Sequence, residues 1–126
     1  MYTNKTIIYK DLSYKVIGLA MEVHRKLGYG FLEKVYENSL MVLLNRDGIP
    51  AIQQAPIKVR FEDEIVGNYV ADILVDDKII LELKCVETIT NIHRSQVLNY
   101  LKATGKKLSI ILNFANRKLE YERLAF

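Results

Sequence analysis

The sequence lacks the features that mark several well-known kinds of site. Cys85 is its only cysteine, so no disulfide can form within the chain, as expected for a reducing cytoplasm. The two histidines and the cysteine do not have the spacing of zinc ligands. There is no glycine-rich phosphate loop and no nucleophile elbow. These absences leave a zinc site, a phosphate loop and Ser/His/Asp catalysis without support.

Long apolar runs and a strong charge imbalance are also missing. No apolar stretch approaches the roughly 18 residues of a membrane span, and Met1 to Lys5 lack the apolar core of a signal peptide. We therefore expect a cytoplasmic protein with no membrane partner. The net charge of +3 permits nucleic-acid binding without indicating it. The 126 residues predict one domain over 1–126, without room for a separate recognition module.

Hydrophobic spacing predicts eight secondary-structure elements. Apolar residues recur every three or four positions in three segments, which predicts helices over 11–27, 31–46 and 92–104. Pro50 and Pro56 flank a segment that leads into the first strand. Strands are expected near 57–61, 65–75, 78–86, 108–113 and 119–124, the last as a charged sheet edge. The order ααβββαββ predicts an α/β (α+β) fold with helices packed against a mixed sheet.

Charged residues interrupt two successive apolar strands of this predicted sheet. Asp72 lies in Val70–Val75, and Glu82 and Lys84 lie in Lys78–Lys84. Unpaired charge is costly to bury, so a chemical role explains these residues better than chance. Carboxylate oxygens suit hard cations such as Mg²⁺, and a lysine suits a phosphate or an attacking hydroxide. The pattern predicts a metal centre, whereas the alternative is a hairpin with solvated charges on an exposed face.

The length of the turn decides whether the two carboxylates meet. If Asp76 to Lys78 form a three-residue loop, Val75 pairs with Ile79 and Asp72 falls opposite Glu82. Directly opposed residues have Cβ atoms roughly 4.5–5.5 Å apart, which lets two carboxylates share an ion. A two-residue loop would place Asp72 and Glu82 on opposite faces. A metal centre therefore requires the three-residue loop.

Two helices carry further candidates. Glu33, Tyr36 and Glu37 share one side of the second helix, and Glu33 near its start suits either the helix dipole or a metal. Gln96 and Tyr100 share one side of the third helix, where they could bond a phosphate oxygen or a water, or form a polar edge.

Basic groups offer candidate contacts to a nucleic-acid backbone. His24 and His93 fit a structural or phosphate-contacting role better than a ligand role. Lys102, with Lys106 and Lys107, could contact a phosphate backbone, although helix dipoles also favour cations at a helix end.

Together these residues resemble the GxxExxY proteins, a group within the PD-(D/E)XK nuclease-like superfamily. The resemblance covers about residues 11–124. Its motifs are Gly30-x-x-Glu33-x-x-Tyr36, then Asp72 with Glu82-Leu83-Lys84, then Gln96-x-x-x-Tyr100. Ala71 stands where the superfamily name has proline, but that position supplies no ligand.

The resemblance implies a mixed sheet flanked by helices and Mg²⁺- or Mn²⁺-dependent cleavage of phosphodiester bonds. It implies that Asp72, Glu82 and the Leu83 carbonyl hold the ion, with Glu33 completing the set directly or through water. Lys84 would orient or help deprotonate the attacking water, and Gln96 and Tyr100 would position the phosphate or water. Nucleic-acid contacts are expected at His24, Tyr36 and Lys102.

These expectations favour a metal-dependent nuclease that acts on DNA rather than RNA. Nothing in the sequence indicates readout of base edges, so little sequence specificity is expected. Two alternatives remain open. One is a non-catalytic member that binds nucleic acid or a protein and keeps Glu82 and Lys84 as an ion pair. The other is an accessory subunit of a larger nuclease, and a homodimer or a larger complex is compatible with either alternative.

Overall fold

The computed structural model describes residues 7–126 and shows three helices and five strands in that part of the chain. Residues 1–6 lie outside the described residues. They include Met1 to Lys5, the segment predicted to lack the apolar core of a signal peptide. The order ααβββαββ is confirmed. The helices are α1 (Lys10–Leu27), α2 (Glu33–Arg46) and α3 (Asn91–Thr104). The strands are β1 (Ala51–Phe61), β2 (Glu64–Val75), β3 (Ile79–Lys84), β4 (Leu108–Asn113) and β5 (Glu120–Ala125).

The five strands form one mixed sheet in the order β1-β2-β3-β4-β5. β3 and β4 run parallel, whereas the other neighbouring pairs are antiparallel. A parallel pair needs a crossover connection, and α3 lies in the segment that provides it. The charged β5 is an edge strand, as its sequence predicted.

The helices cover both faces of the sheet. Side chains of α1 and α2 pack with Leu81 and Leu83, on one face of β3, in the larger core cluster. Ile80, on the other face of β3, packs with Tyr100 and Leu101 of α3. Because successive strand residues point to opposite faces, α3 lies across the sheet from α1 and α2. This two-sided cover explains why β3 is apolar almost throughout, and why charge within it is conspicuous.

The first strand begins earlier than its sequence indicated. The prediction that Pro50 and Pro56 flank a segment before the strand is wrong, because β1 runs from Ala51 and Pro56 pairs with Val70. Proline is tolerated here because β1 lies at the edge of the sheet, where an amide facing solvent has no strand partner to lose.

The β1–β2 hairpin changes direction beside Asp72. Gln54 has a positive φ of 53°, and the ladder is interrupted between the pairs Gln53–Ile73 and Ala55–Ala71. Ile73 packs in the larger core beneath α1 and α2, whereas Ala71 packs in the cluster of α3. The alternation of side chains along β2 is therefore broken at Asp72, so that Ile73 and Ala71 pack on opposite faces of the sheet.

None of the helices found between residues 7 and 126 combines the length and apolar character needed to traverse a bilayer.

Candidate active site

The β2–β3 turn has the length that a shared acidic site requires. Val75 is paired with Ile79 and Leu74 with Ile80, so the three-residue loop is confirmed. Asp76 and Asp77 both adopt positive φ, which aspartate tolerates better than most residues. The backbone pairing ends at Ile73 and Leu81, and directly beyond it Asp72 lies beside Glu82, joined to it by a side-chain bond.

Asp72 and Glu82 each bond to the backbone of the other strand. The Asp72 amide donates to Glu82 Oε2 at 2.9 Å, and the Leu83 amide donates to Asp72 Oδ2 at 2.8 Å. The amide and carbonyl of one strand residue point to the same edge of that strand. The Leu83 carbonyl therefore also lies on the Asp72 side, which places the oxygen ligands of three residues at the end of the ladder.

The acidic pair carries excess negative charge in a poorly solvated place. Burial, and then the charge of Asp72, raise the pKa of Glu82 to about 7. Burial is also the largest cause of the raised pKa of Asp72, followed by the charges of Glu37 and Glu33. Lys84 acts in the opposite direction on the pKa of both carboxyls, so its ammonium lies close enough to offset part of the repulsion.

Helix α2 brings further carboxylates to the pair. It begins at Glu33 rather than at Phe31, and Glu33 Oε2 accepts a bond of 3.3 Å from the Cys85 amide, directly after β3. Glu33, Glu37 and Asp72 line one cleft of about 580 Å³, which we call the acidic cleft. Glu82 is buried beside Asp72. The predicted donors from α2, β2 and β3 thus converge.

Glu37 is part of this site, although it was not among the predicted site residues. It is buried, and its Oε2 accepts bonds from Gln53 at 2.6 Å, Gln54 at 3.1 Å and Lys34 at 3.1 Å. Its spacing of four residues from Glu33 was a usable signal, because residues four apart share a helix side. These contacts tie α2 to the kink in β1 beside Asp72.

Gln96 and Tyr100 lie on the other side of the sheet end. The Gln96 amide donates to the Tyr100 hydroxyl at 3.0 Å. Burial, and then the charge of Glu82, raise the pKa of Tyr100, so its ring lies near the acidic pair. Both residues line a larger cavity of about 920 Å³ against α3 rather than the acidic cleft. Lys102, which is exposed, lines this cavity too.

Two predicted nucleic-acid contacts are wrong. Tyr36 is fully buried, and its hydroxyl donates to the Gly28 carbonyl at 2.7 Å and accepts from the Phe31 amide at 3.2 Å. His24 is also buried, and its Nε2 lies 2.8 Å from the Asn116 carbonyl oxygen. Neither side chain is available to a ligand on the surface.

The buried tyrosine instead explains the spacing of the Gly-x-x-Glu-x-x-Tyr motif. Its ring stacks on Phe114 with centroids 4.5 Å apart, and its hydroxyl closes the loop between Gly28 and Phe31. This loop leads into the first turn of α2. Tyr36 therefore fixes the place at which the helix begins, and with it the position of Glu33.

The donor chemistry fits a hard divalent cation. The cleft offers carboxylates and a backbone carbonyl, which are the oxygen ligands that Mg²⁺ and Mn²⁺ take. Burial, and then neighbouring negative charge, raise the pKa values of Asp72 and Glu82, and a cation would neutralise that charge. No three acidic, histidine or cysteine side chains between residues 7 and 126 are already arranged as a ligand set. Asp72 and Glu82 bond to backbone amides instead.

With this geometry in view, the sequence comparison identifies the family. The profile of the PD-(D/E)XK nuclease superfamily matches residues 10–124. The chain belongs to the PD-(D/E)XK nuclease superfamily. The narrower likeness to the GxxExxY group stays a prediction. No curated protein matches the sequence.

Two solved structures are similar to the chain. The crystal structure of SSO0001 is similar with a TM-score of 0.54 and 15% identity over 73% of this chain. This chain spans only 48% of the length of that protein. An alkaline exonuclease from Laribacter hongkongensis aligns over 98% of this chain and 72% of its own, with 15% identity and a TM-score of 0.46. At these identities the first likeness supports the mixed-sheet fold alone.

Proposed function

We propose that this protein is a metal-dependent nuclease that hydrolyses phosphodiester bonds in DNA, with little sequence specificity of its own. The observation that carries the proposal is the convergence of Asp72 and Glu82, from neighbouring strands, beside the Glu33 carboxylate at the start of α2. Membership of a nuclease superfamily makes phosphodiester hydrolysis the first chemistry to test.

The oxygen ligands of the acidic pair would bind Mg²⁺ or Mn²⁺. Asp72, Glu82 and the Leu83 carbonyl would bind the ion, and Glu33 would complete the set directly or through water. When bound, the ion would supply Lewis-acid polarisation of the phosphate and lower the pKa of a bound water. Glu82 must lose its proton before it can act as a ligand, whereas its bond to the Asp72 amide occupies only Oε2. Metal binding should therefore strengthen as the pH rises through about 7.

The remaining polar residues are assigned to the phosphate and the water. Lys84 follows Glu82 on the same face of β3, and its charge would orient the attacking water and offset charge that develops on the phosphate. Gln96 and Tyr100 already bond to each other beside Glu82, which places an amide and a hydroxyl for the phosphate or the water.

A second function is favoured by one observation. Backbone amides satisfy the carboxylates of Asp72 and Glu82, and the side chains described here form no prearranged ligand set. A non-catalytic member that binds nucleic acid or a protein, or an accessory subunit of a larger nuclease, would need no metal ion at this end of the strands. The ion pair between Glu82 and Lys84 expected for the non-catalytic member is not formed within residues 7–126. We also propose one domain over 1–126, a cytoplasmic location and self-association or a larger complex, which sedimentation of the purified chain tests in part.

The two functions differ in DNA cleavage. Supercoiled plasmid and single-stranded DNA are incubated with the protein in Mg²⁺, in Mn²⁺ and in chelator. We expect metal-dependent cleavage by the wild type and loss of about a hundredfold or more in Asp72→Asn, since the metal contributes several kcal/mol to such reactions. Asp63→Asn is the matched control, because Asp63 is exposed in the β1–β2 turn.

The result opposed to the nuclease proposal is equally clear. Wild-type protein that is folded by circular dichroism but inert with both metals on both substrates would favour the non-catalytic alternatives. Cleavage that persists in folded Asp72→Asn would also count against the proposed site, because the activity would then come from elsewhere.

A further inference from the structure

A groove lies on the face of the sheet opposite α2. It has a volume of about 920 Å³ and lies between α3 and the β1–β2 hairpin, and we call it the α3 groove. Its wall includes Lys58 and Arg60 from β1, Tyr69 from β2, and Gln96, Tyr100 and Lys102 from α3. No acidic residue of the described chain lines it.

Three cations line the groove without an ion-pair partner. Lys58, Arg60 and Lys102 are exposed, and none forms an ion pair with another residue in 7–126. Close by, Arg94 is paired with Glu122 at 2.7 Å, and Lys106 with Asp77 at 2.9 Å. The wall of the groove therefore carries three cations and no carboxylate. This distribution of charge favours the binding of a polyanion.

Aromatic surface accompanies this charge. The Tyr69 ring is 52% exposed and lies 5.8 Å from the Tyr100 ring, at an angle of 43°. A Cβ at Gly67 would meet Tyr69 Cε2 at 3.1 Å, so the glycine leaves room for this ring against the hairpin. The ring is thus held in place on one side, and about half of its surface is free for a ligand.

The groove leads to the acidic pair. Tyr100 belongs to its wall, and the charges of Glu82 and Asp72 both act on the Tyr100 hydroxyl. A strand bound along the groove would therefore pass its backbone close to these carboxylates.

We propose that the α3 groove binds single-stranded nucleic acid, with one base stacked on Tyr69 and the backbone held by Lys58, Arg60 and Lys102. This inference rests on the proposed nuclease function and names the form of its substrate. Unpaired bases offer their faces to an exposed ring, whereas the bases of a duplex are already stacked on one another. Because every base has a face that can stack, this contact also fits binding with little sequence preference.

The test measures binding separately from cleavage. Fluorescence anisotropy follows labelled oligothymidylate and oligouridylate with Asp72→Asn protein in chelator, and unlabelled blunt duplex serves as a competitor. We expect the single strands to bind more tightly than the duplex. Tyr69→Ala should weaken binding by about tenfold, since stacking contributes that much per base, whereas Tyr69→Phe should bind normally. Tyr14→Ala is the matched control, because Tyr14 is 53% exposed on α1.

Salt dependence reports on the cations. For single strands, the logarithm of the association constant falls linearly with the logarithm of the salt concentration. The steepness of this line becomes smaller by about 0.7 for each phosphate that the protein no longer neutralises. Lys58→Ala and Lys102→Ala should each reduce the slope by about this amount, and Lys10→Ala, at an exposed position of α1 outside the groove, should leave it unchanged. Comparison of the two oligonucleotides shows whether the groove distinguishes DNA from RNA.

The outcomes separate this inference from the proposed function. Equal competition by duplex, or wild-type affinity in folded Tyr69→Ala, would overturn the inference even if the protein cleaves DNA. Tyr69-dependent binding by a wild-type protein that never cleaves would uphold the groove and refute the nuclease proposal.

Discussion

Two glutamates of this chain, Glu22 and Glu82, occupy opposite electrostatic environments. Glu22, on α1, is bonded to Arg46 and Lys26, and these cations lower its pKa to about 2. Glu82, on β3, is buried beside another carboxylate, and its pKa is raised to about 7. The cations beside Glu22 neutralise its charge and link α1 to α2. Glu82 forms no ion pair within residues 7–126. A buried carboxyl whose pKa is shifted in this way indicates a candidate functional site, in agreement with the cation site proposed above.

The largest expected difference between the two environments is in catalysis. Glu82→Gln keeps a carbonyl oxygen for the Asp72 amide but removes the negative charge of Glu82 from the acidic pair. We expect metal-dependent DNA cleavage to fall about a hundredfold, because the ion loses a charged ligand. Glu22→Gln should cleave at the wild-type rate. Equal losses in both variants would show that the two environments do not differ in function.

Stability against pH should move in opposite directions at the two glutamates. Because the folded pKa of Glu82, about 7, exceeds the unfolded 4.5, the folded state binds more protons in this window. Its contribution to stability therefore decreases as the pH rises from about 4.5 to about 7. Above that window and without metal, Glu82→Gln should be more stable than wild type by about 1–3 kcal/mol, measured by urea unfolding.

The contribution of Glu22 to stability changes with pH in the opposite direction. Its folded pKa lies below 4.5, so its contribution is present at neutral pH and is lost as the pH falls towards 2. Glu22→Gln should therefore be slightly less stable than wild type at pH 7 and equal to it in strong acid. A Glu82→Gln protein that is less stable than wild type at pH 8 would contradict the assigned repulsion.

Sequence patterns were sufficient for the parts of the site that depend on strand periodicity. Side chains alternate with a period of two, so the odd loop over Asp76 to Lys78 determined that Asp72 meets Glu82. Helix spacing was less informative. It placed Glu33 and Tyr36 on one side of α2 but did not show that Tyr36 would face the core.

The remaining errors come from long-range contacts. His24 and Asn116 are far apart in the sequence, so local spacing could not reveal their bond. The irregularity at Gln54 coincides with a break in the side-chain alternation of β2, and no simple alternation predicts it. Glu33 on α2 and Gln96 on α3 line separate cavities because these two helices cover opposite faces of the sheet.

The smallest expected effect concerns the loop before α2. Tyr36→Phe removes a buried hydroxyl that bonds to Gly28 and Phe31, which should destabilise the fold by about 1–2 kcal/mol. The exposed Tyr14→Phe should change stability by less than about 0.5 kcal/mol. If Tyr36 positions Glu33 as inferred, its variant should also bind Mn²⁺ more weakly. Unchanged stability and unchanged Mn²⁺ affinity would refute that role.

The most direct test of the central claim is a Mn²⁺ titration followed by the electron paramagnetic resonance signal of the free ion. The account predicts that wild type and Asp63→Asn bind Mn²⁺ alike, and that binding strengthens as the pH rises through about 7. It also predicts that folded Asp72→Asn loses this binding. Equal binding by Asp72→Asn, or none by the wild type at pH 8, would contradict the claim that the acidic cleft is a cation site.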